Sequence, residues 1–212
     1  PRVPISSRVM VDILTALGSD RIITLDLHST QIQGFANIPF DNLYSRSVLH
    51  EAIKDEKLEP KNSVVLAPDI GSVKMSQSYA KTLGMHFALI DKRRFAPNQV
   101  EINHLIGNLK DMDVLIIDDM IDTAGTIVNA ADAAMDAGAK SVIVVATHGV
   151  LSGPAIDRLS QSVIKKVIIT DTISISKDKQ VDKIKIVSVA HIFGQAVSRV
   201  HNGESVSALF EF

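Results

Sequence analysis

Short apolar runs alternate with amphipathic stretches along most of this 212-residue chain. Runs rich in Val, Ile and Leu predict strands buried on both faces, and apolar residues at helical spacing predict helices between them. We expect strands at 63–67, 86–90, 114–117, 141–147, 167–171 and 184–188, and helices at 47–57, 72–83, 127–137, 154–160 and 190–200. Strands that alternate with helices in this way predict an α/β fold with a doubly wound, mostly parallel sheet.

The first residues form a less regular region. Ser6 or Ser7 is expected to cap an amphipathic helix, and a strand is expected at 21–26. One helix and one strand bury too little apolar surface to fold alone, so these residues predict the remainder of a larger domain. Residues 31–44 contain Gly and Pro and predict a connector, and residues 205–210 predict a strand-like terminal run.

Composition narrows the classes of function. The formal net charge of −2 gives no support for nucleic acid as the main partner. The chain has no cysteine, which excludes disulfides and thiolate chemistry. No apolar run approaches membrane-spanning length and no signal peptide precedes the first residues, so we expect a soluble, cytoplasmic protein.

The stretch from Val114 to Thr126 concentrates polar chemistry behind a buried strand. Its apolar run is followed by Asp118, Asp119 and Asp122, and then by Thr123, Ala124, Gly125 and Thr126 at the start of a predicted helix. Unpaired N–H groups and the helix dipole favour a phosphate group at such a start. The carboxylates before it suit the vicinal hydroxyls of a sugar. The alternative, that Asp122 or Thr123 merely caps the helix, accounts for one polar residue but not for three carboxylates.

Polar residues also follow other predicted strands. Asp26 and His28 come at the end of one, Asp69 after another, and Lys92 and Arg94 after a third. Because the carboxyl ends of parallel strands meet at one edge of a sheet, we expect these residues to converge on one crevice with the 114–126 stretch.

Each of these groups also has a simpler interpretation. His28 is by itself best explained by a hydrogen-bonded turn, but with Asp69 as an oxygen ligand it becomes a candidate for a magnesium–nucleotide site. Lys92 and Arg94 belong to a run of charges that is often just a solvated turn. On a mobile loop, however, they would place cations over phosphates, as phosphoryl transfer requires.

Several motifs resemble those of the ribose-phosphate pyrophosphokinase family. The stretch 114–126 is similar both to its ribose-phosphate loop and to the loop of type I phosphoribosyltransferases. Residues 26–35, Asp-Leu-His-Ser-Thr-Gln-Ile-Gln-Gly-Phe, resemble a signature that simple phosphoribosyltransferases lack. Residues 91–94, 147–153 and 204–210 are also similar to family motifs, so the resemblance extends over essentially the whole chain.

The resemblance implies two tandem domains of the type I phosphoribosyltransferase fold. Residues 1–44 would be the remainder of an N-terminal domain whose first segment is missing, residues 45–202 the C-terminal domain, and residues 203–212 a segment returning to the first. It also implies ATP-dependent transfer of diphosphate to the 1-hydroxyl of ribose 5-phosphate, giving 5-phosphoribosyl 1-diphosphate and AMP for nucleotide biosynthesis. The family typically forms hexamers.

The resemblance also implies roles for individual residues. His28 and Asp69 would bind Mg²⁺, and Lys92 and Arg94 would act on the transferring group, with Arg94 also contacting substrate. Ribose 5-phosphate would be bound by Asp118, Asp122, Thr123, Ala124, Gly125 and Thr126.

The chain departs from the family pattern at three positions. Ala124 replaces a more frequent glycine, which matters if that residue needs a positive φ. Ala36 and Asn37 replace a Phe and an acidic residue, which argues against a metal role at position 37.

Two other functions compete with the pyrophosphokinase: a non-catalytic relative that regulates an active partner, and a phosphoribosyltransferase that consumes the activated sugar. A non-catalytic relative is expected to lose the loop cations or the sugar-site aspartates, and this chain keeps both.

Overall fold

The computed structural model describes residues 5–93 and 102–209, with the backbone alone at 92–93 and 102–103. Its helices are α1 (Ser6–Ala16), α2 (Arg46–Lys54), α3 (Val73–Leu83), α4 (Gly125–Asp136), α5 (Ala155–Gln161) and α6 (Ala190–His201). Its strands are β1 (Ile22–Leu25), β2 (Phe40–Leu43), β3 (Ser63–Ala67), β4 (His86–Arg93), β5 (Ile102–Ile106), β6 (Asp113–Ile121), β7 (Ser141–Gly149), β8 (Lys166–Thr170) and β9 (Ile184–Val187). Short 3-10 helices lie at Thr30–Phe35, Pro60–Asn62, Lys177–Lys179 and Val206–Leu209.

These elements form two units. The described residues up to Ser47, together with those from Val189 onward, form the first unit, and Val48–Ser188 form the second. Helix α6 is therefore part of the first unit, whereas the sequence had placed it in a C-terminal domain of residues 45–202. None of the helices in the described part of the chain has the length and apolar character needed to cross a bilayer.

The second unit is built on a sheet in the order β5-β4-β3-β6-β7-β8-β9. Neighbouring strands are parallel except β4 and β5, which are antiparallel. The chain adds strands to one side of β3 and then, from β6 onward, to the other side, so the order reverses between β3 and β6. The predicted doubly wound, mostly parallel sheet is confirmed. In such sheets ligands bind at the carboxyl ends of the strands where the order reverses.

Apolar side chains cover both faces of this sheet. Val64 and Leu66 of β3 pack in one cluster with apolar residues of α4 and α5, while Val65 between them packs in a second cluster with residues of α2 and α3. Successive strand residues point to opposite faces, so one short apolar run supplies both layers. All five positions of β3 are buried, as its continuous apolar sequence predicted.

Three predicted strands of the second unit extend further than expected, and a fourth strand, β5, was not predicted. We expected a strand to end at residue 90 and a loop to begin at residue 91, but β4 continues to Arg93 and pairs with β5, with Lys92 opposite Asn103. Likewise β6 and β7 continue past their other neighbours and pair with each other as far as Ile121 and Gly149. Asp118 and Asp119 therefore lie within a strand rather than after it, because backbone pairing does not require apolar side chains.

The first unit contains a parallel pair of strands, β1 and β2, and the helices α1 and α6. The sequence predicted β1 but assigned the residues of β2 to a connector, because residues 31–44 contain Gly and Pro. The predicted serine cap of α1 is wrong, since Ser6 is already helical and Ile5 precedes it without a side-chain cap. The predicted strand-like run at 205–210 is also wrong for residues 206–209, which form a 3-10 helix.

The apolar face of α1 is exposed within the described residues. The exposed side chains are Ile5, Val9, Met10, Ile13, Leu14 and Leu17. Amphipathic spacing correctly predicted the helix. Within α1, however, Val11 is the one buried residue.

Candidate functional site

Three carboxylates lie at the carboxyl edge of β3 and β6, where the strand order reverses. Asp118 and Asp119 are in β6, and Asp69 follows the neighbouring parallel strand β3. Asp69 is held by its own turn: its carboxylate accepts a hydrogen bond from the backbone N–H of Ser72 at 3.0 Å, and the Ser72 hydroxyl donates to the Asp69 carbonyl at 3.0 Å. The turn leads into α3 and fixes the carboxylate beside the end of the strand.

The electrostatics of this cluster favour a proton on Asp118. Burial and the neighbouring charge of Asp119, with a smaller contribution from Asp69, raise the pKa of Asp118 to about 7. A hydrogen bond of 3.0 Å from the backbone N–H of Asp119 acts in the opposite direction but does not outweigh them. A cluster of this kind gains from hydrogen-bond donors such as sugar hydroxyls, or from a cation, because either relieves the repulsion between carboxylates.

The described residues contain no group of three or more Asp, Glu or His side chains arranged to hold a metal ion. Asp69 and the neighbouring carboxylates can still supply part of the ligand set of Mg²⁺. This ion often takes one or two protein carboxylates and completes its coordination with water and substrate phosphates. The donor set therefore fits a magnesium ion that arrives with a phosphate ligand.

The other predicted metal ligand, His28, belongs to the first unit. It is exposed in the segment between β1 and the 3-10 helix Thr30–Phe35. Asp26, two residues earlier, has a structural role: its backbone N–H donates to the Leu43 carbonyl at 2.9 Å, and its carboxylate accepts from the Ser45 N–H at 3.0 Å. These bonds tie the end of β1 to the end of β2.

The segment 122–126 forms the turn from β6 into α4. The N-cap residue is Ala124, in the left-handed conformation with φ +60° and ψ +4°. The simpler interpretation, in which Asp122 or Thr123 is the N-cap, is therefore wrong. Since alanine cannot cap a helix with its side chain, the first N–H groups of α4 are open to another acceptor, and a phosphate is well suited to them.

Burial divides this loop into an anchored part and an accessible part. Asp122, Thr123 and Thr126 are exposed, whereas Ala124 is only 4% exposed and belongs to the apolar cluster that includes residues of α4 and α5. The departure at position 124 therefore falls on a residue that does adopt a positive φ. It places a methyl group in the core at the cost of backbone strain.

A second segment, which the sequence did not single out for this role, holds the loop from behind. The backbone N–H of Leu151 donates to the Ile121 carbonyl, and that of Ser152 donates to the Asp122 carbonyl, each at 3.0 Å. The Ser152 hydroxyl also donates to the Asp122 carboxylate. The one sequence signal for this segment was the family-like motif at 147–153.

The carboxyl end of β7 lies beside the same edge. His148 is opposite Met120 of β6, and its Nδ1 is 2.9 Å from the hydroxyl oxygen of Thr172. The Thr170 hydroxyl donates to the Thr147 carbonyl at 2.7 Å, which joins the ends of β7 and β8. His148 thus lies at the carboxyl edge of the sheet.

The predicted loop cations cannot be placed in the same way. The backbone of Lys92 lies in β4, two strands from β6, and its side chain is outside the described part of the structure. Arg94 lies outside the described residues altogether. Their roles stay predictions.

Comparisons with known proteins agree on one family. The family model of the phosphoribosyl synthetase-associated domain matches residues 93–211. A ribose-phosphate pyrophosphokinase of Chlorobaculum tepidum is 47% identical over 211 residues, which is 100% of this chain and 65% of the relative. One from Campylobacter jejuni is 45% identical over 99% of this chain and 67% of its own length. The chain therefore spans about two thirds of the length of the curated relatives it matches.

Comparison of the fold with solved structures points to the same family. A crystal structure of phosphoribosylpyrophosphate synthetase from Mycobacterium smegmatis superposes with a TM-score of 0.88 at 36% sequence identity, over 96% of this chain and 66% of that one. The motifs, the fold and the sequence identity together show that this chain belongs to the ribose-phosphate pyrophosphokinase family.

Proposed function

We propose that this protein transfers the diphosphate group of ATP to the 1-hydroxyl of ribose 5-phosphate, giving 5-phosphoribosyl 1-diphosphate and AMP. The observation that carries the proposal is the arrangement in the second unit, where a helix start without a side-chain cap follows a strand with two carboxylates near its carboxyl end. The sequence identity of 47% to a protein named ribose-phosphate pyrophosphokinase supports it. We further propose that the protein acts in nucleotide biosynthesis in the cytoplasm and assembles as a homo-oligomer, with the hexamer typical of the family.

In this proposal the sugar phosphate is bound at both ends. Residues 123–126 receive the 5-phosphate, because backbone N–H groups and the dipole at the start of α4 attract an anion. Asp118 accepts hydrogen bonds from the ring hydroxyls at the other end, and Asp122 shapes the turn between them through its bonds to Ser152. Binding of the two ends by different groups would orient the 1-hydroxyl toward the nucleotide.

The chemical step is an in-line displacement. The oxygen of the 1-hydroxyl attacks the β-phosphorus of ATP, the bond from that phosphorus to the oxygen bridging the α- and β-phosphates breaks, and AMP leaves. The hydroxyl proton is released in the same overall reaction. Lys92 and Arg94 would offset the negative charge that spreads over the transferring group, so positioning and electrostatics supply most of the rate enhancement.

Asp69 and His28 stay our proposed ligands for Mg²⁺. The ion would supply positive charge to the phosphate oxygens of ATP. The fit rests on the carboxylate at the end of β3 and on the hard oxygen donors around it.

The direct test is formation of AMP from ATP and ribose 5-phosphate by the full-length protein in the presence of Mg²⁺. We expect AMP and 5-phosphoribosyl 1-diphosphate in equal amounts, and neither when ribose replaces ribose 5-phosphate. Consumption of 5-phosphoribosyl 1-diphosphate with a nucleobase, without any AMP from ATP, would instead support a phosphoribosyltransferase. Binding of ribose 5-phosphate without either reaction would support a non-catalytic relative.

A further inference from the structure

A cation lies against the loop in which we propose that the phosphate binds. Arg158 is on α5, and its Nη1 donates a hydrogen bond to the carbonyl oxygen of Thr123 at 2.9 Å. The same Nη1 is 3.3 Å from the position that a Cβ on Gly125 would occupy. The guanidinium can approach the loop this closely because Gly125 has no side chain. Arg158 thus bonds to the backbone just before Ala124 and lies close to Gly125 just after it.

This placement is electrostatically unusual. The N-terminus of a helix carries a partial positive charge, so a cation beside it is disfavoured, whereas an anion there is stabilised. The Thr123 carbonyl compensates part of the charge of Arg158. A phosphate dianion at the start of α4 would be attracted both by the helix end and by the guanidinium, which also offers further N–H donors.

The connection between β7 and α5 fixes the loop at additional points. Ser152 bonds to the backbone and the carboxylate of Asp122, as described above. Leu151 is fully buried with φ +49°, and its carbonyl accepts a hydrogen bond from Nζ of Lys179 at 2.9 Å. Arg158 therefore extends from a well-anchored segment.

We infer that Arg158 is a positioning residue for the sugar phosphate: it holds the Thr123 carbonyl so that the N–H groups at the start of α4 stay directed at the phosphate, and it adds positive charge to that pocket. The inference deepens the proposed function and rests on it, because it requires a phosphate ester as the ligand. It assigns a role to a residue 35 positions after Thr123 in sequence.

The test compares Arg158→Gln and Arg158→Lys with the unaltered full-length protein. The control is Arg199→Gln, which removes an arginine that likewise donates to a backbone carbonyl, that of Ser205 at 3.1 Å. The measurements are the Kd for ribose 5-phosphate by calorimetry, the KM for each substrate and the midpoint of thermal unfolding.

We expect Arg158→Gln to raise the Kd and the KM for ribose 5-phosphate about tenfold, with the KM for ATP changed less than about twofold. Arg158→Lys keeps the positive charge but loses the planar, two-donor geometry of the guanidinium. We therefore expect its Kd for ribose 5-phosphate to rise about threefold. The control should bind like the unaltered protein. A purely structural role would instead lower the thermal midpoint and affect both substrates alike.

The outcomes separate this inference from the proposed function. If Arg158→Gln binds ribose 5-phosphate as tightly as the unaltered protein, the role of Arg158 is refuted and the proposed function stands. If the unaltered protein binds no ribose 5-phosphate, both are refuted. If Arg158→Gln does not fold, an unchanged Kd in Arg158→Lys refutes the role.

Discussion

Asp118 in β6 lies near Asp69, which follows the adjacent parallel strand β3, and the charge of Asp69 contributes to the raised pKa of Asp118. This relationship lies at the point where the strand order of the second unit reverses. It concentrates negative charge beside a helix start that favours a phosphate, and a sugar phosphate, with hydroxyls at one end and an anion at the other, matches that contrast.

The raised pKa of Asp118 makes stability depend on pH. In the unfolded chain this carboxyl titrates near 3.8, whereas in the folded protein it titrates near 7. Between these values the folded state binds more protons than the unfolded state, so the free energy of unfolding falls as pH rises through this window. The loss is at most about 4 kcal/mol for this one group.

Replacing Asp118 with Asn should therefore remove that part of the pH dependence. Relative to the unaltered protein, the variant should gain stability at pH 8 and gain much less at pH 4, while losing affinity for ribose 5-phosphate. Urea unfolding at both pH values measures the difference. Parallel stability curves for the two proteins would show that folding does not shift the pKa of Asp118.

The left-handed backbone at Ala124 predicts a different response to two substitutions. Ala124→Gly relieves strain but removes a buried methyl group, so the free energy of unfolding should change by less than about 1 kcal/mol. Ala124→Val adds a β-branched side chain at φ +60° and should destabilise the protein by about 2 kcal/mol or more. Equal stability of the Val and Gly variants in chemical unfolding would mean that residue 124 does not hold this conformation.

An ion pair at the end of α2 should stabilise the second unit. Nζ of Lys166 lies 2.7 and 2.9 Å from the two carboxylate oxygens of Glu56, whose side chain is 11% exposed. Glu56→Gln leaves a partly buried lysine without its counter-charge and should cost about 1–3 kcal/mol. Asp12→Asn is the matched control, because its pair with Arg8 is exposed and should contribute less than about 0.5 kcal/mol. Similar losses in the two variants would show that the Glu56 pair is no stronger than a surface pair.

The proposed catalytic role of Lys92 predicts a separation of turnover from sugar binding. In the full-length protein, Lys92→Ala should lower kcat by about two orders of magnitude or more, because a cation that stabilises the transferring group is lost. The Kd for ribose 5-phosphate should stay close to that of the unaltered protein. Lys81→Ala, which removes an exposed lysine on α3, is the control and should keep normal turnover. Near-normal turnover in Lys92→Ala would refute the catalytic assignment.

The parts of this fold that the sequence predicted are those in which one local pattern decides the structure. A continuous apolar run such as Ser63–Ala67 has to be covered on both faces, so β3 and the parallel sheet followed directly. The short strands β2 and β5 carry no such pattern, and each is defined by its pairing with the strand that precedes it in the chain. The exposure of the apolar face of α1 also lies beyond what spacing can show, because periodicity predicts a helix but not what covers it.

The candidate site likewise contains residues that a local motif predicted and residues that only the fold brings together. The carboxylates and the small residues at 118–126 are contiguous, so a single motif predicted them. Arg158 and Ser152 reach the loop only through the fold, and no spacing rule connects them to it. The sequence showed an alanine at a position where glycine is more frequent, but it could not show whether that residue has a positive φ. The structure gives φ +60° for Ala124.

The central claim is that the segment 118–126 binds ribose 5-phosphate, and titration calorimetry of the full-length protein tests it most directly. We expect saturable binding of ribose 5-phosphate that weakens at least about tenfold in Gly125→Val, because the added side chain would meet Arg158 and block the start of α4. A folded Gly125→Val variant that binds ribose 5-phosphate with unchanged affinity would contradict the account.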